Sequence, residues 1–112
     1  MEMVATQEAS GILLIRIDEE HLDAGNVKAF KEAIAPLLER SDRIVFDMTQ
    51  LKFVDSSGLG ALIACLRQTH KGKGDFKLCE MPRPVCALFE LMRMHRVFSI
   101  HDTREDALRA FA

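Results

Sequence analysis

The residues of this chain best placed to do chemistry are two adjacent serines in the stretch Asp55-Ser56-Ser57-Gly58-Leu59-Gly60. The apolar residues that begin within this stretch recur at helical spacing: Leu59, Leu62, Ile63 and Leu66. This spacing predicts an amphipathic helix that begins at the serines. The first amides of a helix lack intrahelical acceptors, and the helix dipole adds partial positive charge there. The sequence therefore places two hydroxyls at an electropositive helix start.

These hydroxyls have a structural interpretation and a functional one. Either Ser56 or Asp55 can accept an amide hydrogen bond as the N-cap of the helix, which contributes about 1 kcal/mol. Capping needs one such residue, whereas Gly58 and Gly60 indicate an exposed, uncluttered turn that another protein can approach. A phosphate there would add about −1.5 to −2 charge beside Asp55. We expect such a phosphate to change the surface offered to a partner and to leave the helix folded.

The chain does not match the sequence motifs of common catalytic and cofactor-binding sites. Ile63 occupies the third glycine position of a G-x-G-x-x-G motif, and Val54 the first glycine position of G-x-S-x-G. We interpret Asp47 and Asp55 as structural or partner-facing carboxylates. The histidines and cysteines show no metal-ligand spacing, and the cysteines are typical of small buried residues: His21, His70, His95, His101, Cys65, Cys79 and Cys86.

We therefore expect no cofactor, no metal and no enzyme activity. A small enzyme that uses Ser56 or Cys65 is an alternative, but no base is placed beside either residue by spacing.

The elements that must position the serines alternate between strands and helices. The predicted strands are Met3–Glu8, Ile12–Ile17, Arg43–Asp47, one around Phe76 and Leu78, and Val97–Ile100. The first two are separated by a turn and predict a hairpin. Parallel neighbours need crossover helices, so the alternation predicts an α/β fold with a mixed, mostly parallel sheet of four to five strands. At 112 residues, the chain has the length of one domain, 1–112.

About four helices are predicted between and after these strands. The first carries Val27 to Leu38 at helical spacing, with Asp23 or Asn26 as its cap and a kink at Pro36. The second, behind the serines, runs to about His70. The third begins at Pro84, and the fourth follows a capping box of Thr103 and Asp106, with Leu108 and Phe111 facing inward.

Composition narrows the function classes. Hydrophobic residues make up 48% of the chain and charged residues 29%, and the net charge is −2. These values are not those of a disordered tail or a general nucleic-acid binder. No apolar run approaches the roughly 18 residues of a membrane span, and residues 1–9 do not resemble a signal peptide. We expect a cytoplasmic monomer that binds neither nucleic acid nor membrane.

An acidic loop precedes the first helix: Asp18, Glu19, Glu20 and Asp23. It either steers a basic partner toward this end of the chain or is simply solvated.

Three segments together resemble a known family. The strand Ile44–Asp47, the stretch Phe53–Gly60 and the Leu22-Asp23-Ala24 sequence before a helix are similar to bacterial anti-sigma factor antagonists, which are STAS domain proteins. The resemblance covers essentially the whole chain, and the D-S-[ST]-G-L-G motif is its most specific part. It implies a single STAS domain that binds an anti-sigma factor, itself a serine kinase, until phosphorylation breaks the complex. It also implies a PP2C-type phosphatase that restores the unphosphorylated form.

The resemblance also implies roles for individual residues. The serine after the motif aspartate, Ser56, is the implied phosphoacceptor, with Ser57 as second choice. The implied partner-binding residues are Asp23, Asn26, Asp55, Ser56, Ser57, Gly58 and Leu59. In two places the chain departs from many family members: Glu20 and His21 stand where Gly and Glu are common, and Ser57 where Thr is common. An alternative is a STAS subunit of another signalling or scaffold complex, in which Ser56 is only a helix cap.

Overall fold

The computed structural model describes residues 1–111, and its elements alternate as the sequence predicts. The strands are β1 (Met3–Gln7), β2 (Leu13–Ile17), β3 (His21–Leu22), β4 (Arg43–Asp47), β5 (Phe53–Val54), β6 (Asp75–Cys79) and β7 (Ile100–His101). The helices are α1 (Val27–Arg40), α2 (Ser56–Lys71), α3 (Arg83–Leu91) and α4 (Arg104–Arg109). Helix α1 continues through Pro36, and α3 begins one residue before Pro84.

Five of the strands form one sheet in the order β1-β2-β4-β6-β7. β1 and β2 are the antiparallel hairpin, with Met3 opposite Ile17, and all other neighbours are parallel. The α/β class, the mixed sheet of five strands and the four helices are therefore confirmed. β3 and β5 pair with each other in a separate two-stranded sheet.

The central strand β4 shows how the sheet separates two apolar layers. Ile44 and Phe46 point into the large core with α1, α2 and α3, whereas Val45 points to a smaller cluster under α4. This alternation follows from the two-residue period of a strand. The Phe46 ring lies 5.4 Å from that of Phe76 and 6.0 Å from that of Phe30. One face of the sheet thus carries three helices, and α4 packs on the other.

The predicted strand Val97–Ile100 is wrong in its bounds. Residues 94–96 form a 3-10 turn, and β7 covers Ile100 and His101. Phe98 is buried against Phe89, with ring centroids 6.1 Å apart, while Val97 is exposed. Phe98, one of the apolar residues that indicated a strand, is buried although it follows a turn and is not in a strand. A run of four apolar residues does not distinguish a strand from such a buried turn segment.

Helix α4 is fixed to the sheet through polar contacts at its start. Thr103 caps it by accepting a hydrogen bond from the Asp106 amide at 3.1 Å, as the capping box predicts. Arg104 Nη2 lies 3.2 Å from Oδ2 of Asp47, a carboxylate that is 1% exposed. Oδ2 of Asp47 accepts no well-aligned hydrogen bond within residues 1–111, so its contact with Arg104 is ionic. The other oxygen, Oδ1, accepts a hydrogen bond from the Thr49 amide. Asp47 therefore has a structural role.

Replacing Arg104 by methionine keeps most of its length but leaves the buried Asp47 carboxylate without its cation. We expect Arg104→Met to lower the free energy of unfolding by about 1–3 kcal/mol, since an uncompensated buried polar group carries that cost. Arg109→Met is the matched control, because within residues 1–111 the only ion pair of Arg109 is an exposed one with Asp106. It should change stability by less than about 0.5 kcal/mol. Urea unfolding checks both, and equal effects would contradict a buried anchor at Asp47.

Candidate functional site

Two loops that are far apart in the chain meet at one edge of the molecule because β3 and β5 pair. His21 lies opposite Phe53 and Leu22 opposite Val54. Beyond this ladder, the Asp55 amide donates to the Leu22 carbonyl at 3.2 Å. The pairing therefore sets the start of α2 beside the loop between β3 and α1. Strands of two residues have no periodicity to detect, so no pattern in the sequence predicts this contact.

The Asp55 side chain connects these two loops. Its Oδ1 accepts a hydrogen bond from the Gly58 amide at 2.9 Å, which makes Asp55 the N-cap of α2. Its Oδ2 accepts from the Ala24 amide in the β3–α1 loop at 3.0 Å. These amides, the Gly58 amide first, hold the pKa of the Asp55 carboxyl below its usual value because they stabilise the charged form.

The hydroxyls of Ser56 and Ser57 do not stabilise the fold through hydrogen bonds within residues 1–111. Both residues are exposed at the first two positions of α2. Within residues 1–111 neither hydroxyl takes part in a hydrogen bond. Of the two capping residues that the sequence allowed, the structure selects Asp55. An interpretation of Ser56 as only a helix cap is therefore wrong.

Gly58 is buried, which corrects the expectation of an uncluttered turn at this position. A Cβ atom built on Gly58 would lie 2.3 Å from the Leu22 carbonyl oxygen, a distance that real contacts do not reach. Gly60 is exposed, and a Cβ there would meet nothing within 4 Å. Leu59 is also buried and packs in the large core. Gly58 and Leu59 are therefore packed beneath the site, and the two serines form its exposed surface.

The β3–α1 loop is closed by its own hydrogen bonds. The Asn26 side chain accepts from the Asp23 amide at 2.9 Å and donates to the His21 carbonyl at 2.8 Å. The Asp23 carboxylate accepts from the Gly25 amide at 2.9 Å and lies 2.9 Å from Nδ1 of His21. Neither Asp23 nor Asn26 caps α1 through its side chain, which corrects that expectation. Both side chains instead hold the loop in one shape beside α2.

The acidic loop before this segment is partly neutralised. Arg16 donates to both carboxylate oxygens of Asp18, at 2.6 and 3.1 Å, and this bond lowers the pKa of the Asp18 carboxyl. Lys52 lies 3.3 Å from Glu20, and both side chains are largely exposed. Exposed pairs of this kind contribute little to stability. Glu19, Asp23 and Asp55 have no Lys or Arg partner within residues 1–111, so negative charge dominates this surface.

Neither of the two candidate nucleophiles, Ser56 and Cys65, is activated by a neighbouring base within residues 1–111. Cys65 and Cys79 are buried, and burial raises the pKa of each thiol to about 12, so both are thiols at neutral pH. No histidine, carboxylate or lysine within residues 1–111 is hydrogen-bonded to the hydroxyl of Ser56. The same residues contain no group of three or more metal-ligating side chains. None of the helices in this part of the chain is long and apolar enough to span a membrane.

Comparison with known proteins identifies the family of this chain. The STAS domain family matches residues 3–107. The chain belongs to the STAS domain family. The resemblance noted from the segments around Asp23, Asp47 and Ser56 is thereby confirmed at the level of the family.

Relatives of this STAS domain include proteins named as anti-sigma factor antagonists. The anti-sigma F factor antagonist of Paenibacillus polymyxa is 26% identical over 100 residues, which are 88% of this chain and 85% of that protein. The solved structure of an anti-sigma-factor antagonist (STAS) domain protein from Planctomyces limnophilus matches with a TM-score of 0.86 at 18% identity, over 96% of each chain.

Two structures of the Bacillus anti-sigma factor antagonist SpoIIAA share the fold of this STAS domain. The unphosphorylated form has a TM-score of 0.71 at 19% identity and covers 98% of this chain and 97% of that one. The phosphorylated form has a TM-score of 0.70 at 18% identity and covers 99% and 100%.

The two motif glycines provide a matched test of the close approach between α2 and β3. Gly58→Ala should lower the free energy of unfolding by about 1–3 kcal/mol, because the new methyl forces the Leu22 backbone away. Gly60→Ala should raise it by about 0.5–1 kcal/mol, since alanine favours the helix and meets no neighbour. Urea unfolding of both variants measures the difference. Stabilisation by both alanines would contradict the contact at Gly58.

Asp55→Asn tests the double acceptor of the site. An asparagine presents one carbonyl oxygen, so either the Gly58 or the Ala24 amide loses its bond, and we expect the variant to melt several degrees lower at about pH 7. The Asp55 pKa is lowered in the folded state, so its contribution is present above the unfolded pKa and is lost as pH falls through the folded pKa.

The stability difference between wild type and Asp55→Asn should therefore shrink between about pH 5 and pH 2. Other carboxylates, such as Asp18, titrate in both proteins and cancel in this difference. Thermal unfolding across this pH range measures it, and a difference that stays constant would contradict a role for the charged Asp55.

Proposed function

We propose that this STAS domain is an anti-sigma factor antagonist whose binding to an anti-sigma factor kinase is controlled by phosphorylation of Ser56. The observation that carries the proposal is the state of the Ser56 hydroxyl: exposed, unbonded within residues 1–111 and at the first position of α2. Asp55 performs the capping, so modification of Ser56 removes no bond from the fold. Ser57 is also exposed and is the second candidate.

A phosphate on Ser56 changes the surface without a need to unfold the helix. Amides at a helix start favour an anion, so α2 tolerates the modification. The added charge of about −1.5 to −2 joins an already acidic surface that includes Asp55 and Asp23. A partner that binds over the uncharged serine would have to desolvate the phosphate once it is added. This desolvation cost opposes the complex.

In this proposal, the chain is a substrate and not an enzyme. The kinase that phosphorylates Ser56 is the anti-sigma factor itself, and a PP2C-type phosphatase removes the phosphate. The domain acts as a cytoplasmic monomer, and Asp23, Asn26, Asp55 and the two serines form the surface that the kinase covers. The common fold of unphosphorylated and phosphorylated SpoIIAA supports a switch that works through surface chemistry.

Three variants of the serines test the switch. The wild-type protein is incubated with ATP and each anti-sigma factor kinase of its source organism, and phosphate is located by fragment mass spectrometry. We expect one phosphate on Ser56, its absence in Ser56→Ala, and its retention in Ser57→Ala. Ser56→Asp should keep the fold and lose at least about tenfold in affinity for the kinase, whereas Ser56→Ala should bind like wild type.

Two outcomes would count against this function. Equal affinity of wild type and Ser56→Asp would show that charge at this position does not control the complex. Absence of phosphate with every kinase, together with stoichiometric binding to other STAS proteins, would favour a subunit of a signalling or scaffold complex.

A further inference from the structure

One aromatic side chain lies outside the core, and it lies beside Ser56. Of the seven phenylalanines, five are at most 4% exposed and Phe111 is partly buried, but Phe53 is 51% exposed. Its strand partner, His21, is also exposed, so β3 does not cover the ring. The core is complete without Phe53, and exposing a large aromatic ring to water gains the isolated domain nothing. A partner that buries the ring would gain this hydrophobic energy.

The position of Phe53 places it within reach of any protein that covers Ser56. Phe53 and Ser56 are three positions apart in the chain, so their Cα atoms are at most about 10 Å apart. A typical protein interface covers about 800 Å² on each partner, which is much more than this distance requires. β5 is held in place by its pairing to β3 and by the Asp55 bonds that follow it. The ring is therefore presented on a fixed backbone.

The surroundings of Phe53 are mainly acidic. The Phe53 amide donates to the Glu20 carbonyl, and the Glu20 side chain pairs with Lys52 at 3.3 Å. His21, the strand partner of Phe53, lies against the Asp23 carboxylate at 2.9 Å. Glu19, next to Glu20, and the Asp55 carboxylate add further negative charge. An aromatic centre with a charged rim is the arrangement in which interface binding energy concentrates.

We infer that Phe53 is the aromatic anchor of the kinase-binding surface, and that it enters an apolar pocket of the kinase whose rim is basic. The inference rests on the proposed function and adds the residue that supplies most of the affinity. Ser56 then supplies the control, because its phosphate lies at the edge of the same contact. The acidic rim speeds association with a basic partner, so binding should slow as salt is added.

A second exposed apolar patch gives the matched control. Leu91 is 80% exposed at the end of α3, and Met92 and Val97 are exposed close to it in the chain. Their exposed charged neighbours in the chain are one carboxylate, Glu90, and two arginines, Arg93 and Arg96, so the net charge is positive, opposite to that of the rim of Phe53. A kinase pocket with a basic rim would be repelled there.

The experiment compares Phe53→Ala with Leu91→Ala. Each variant and the wild type is titrated calorimetrically with the anti-sigma factor kinase that phosphorylates Ser56. We expect Phe53→Ala to weaken binding about 10- to 100-fold, as removal of a buried aromatic anchor does, and Leu91→Ala by less than about threefold. Both residues are exposed, so both variants should unfold at nearly the wild-type urea concentration.

A labelled variant reports burial of residue 53 directly. The chain contains no tryptophan, so Phe53→Trp made with 5-fluorotryptophan has a single fluorine resonance, and an unlabelled kinase adds none. We expect this resonance to shift and broaden when the kinase binds and to return when Ser56 is phosphorylated. The same label in Leu91→Trp should not shift.

The outcomes separate this inference from the proposed function. If wild type binds the kinase and is phosphorylated on Ser56 but Phe53→Ala binds within about threefold, the anchor is refuted and the switch stands. Loss of binding in Leu91→Ala in place of Phe53→Ala would assign docking to the end of α3 and also refute the inference. If wild type neither binds a kinase nor is phosphorylated, the proposed function fails, and the anchor fails with it.

Discussion

The candidate site depends on the two oxygens of one carboxylate. Asp55 accepts from the Gly58 amide with one oxygen and from the Ala24 amide with the other, so a single residue both starts α2 and holds the β3–α1 loop against it. Because Asp55 caps the helix, Ser56 does not need to. Because the aspartate satisfies the helix start, the serine that comes next is released from the role that a residue of its type usually has at a helix end.

The close packing beneath the site makes that arrangement possible. Leu22 is fully buried, and its carbonyl oxygen lies so close to Gly58 that no side chain fits between them. Leu59 continues the contact into the large core. The polar surface of the site therefore lies directly above buried apolar residues of β3, β5 and the first turn of α2, namely Leu22, Val54 and Leu59. A phosphate added at Ser56 stays on the solvent side, because the close-packed atoms beneath the site leave no space for it.

Periodicity in the sequence predicted the large elements, and it failed where elements are short. The spacing of Leu59, Leu62 and Leu66 identified α2, and the alternation of strands and helices identified the mixed sheet. Strands β3 and β5 have two residues each, so their pairing, which builds the site, left no periodic signal.

Residue type singled out the stretch from Asp55 to Gly60 as the candidate site, but it did not predict which contact each side chain makes. Asp55 and Ser56 are both good caps, and only their geometry shows which one accepts the Gly58 amide. Gly58 and Gly60 look alike in sequence, yet one meets a backbone carbonyl and the other meets solvent. Phe53 resembles a core residue by type, and its exposure depends on the pairing of β5 with β3. These properties depend on contacts between distant segments, and therefore local pattern does not contain them.

The same contacts explain why a single phosphate could control binding on this surface. Asp23 and Asp55 are held by amides of the fold, so they do not move away when a further negative charge appears at Ser56. At physiological salt, the screening length is about 8 Å, so charges on adjacent loops act on each other and on a partner that covers them. In the proposed switch, a kinase that buries this surface has to desolvate a dianion beside fixed carboxylates. The hydrogen bonds that hold the loops around the Ser56 hydroxyl would then also prevent the surface from relaxing once the phosphate is added.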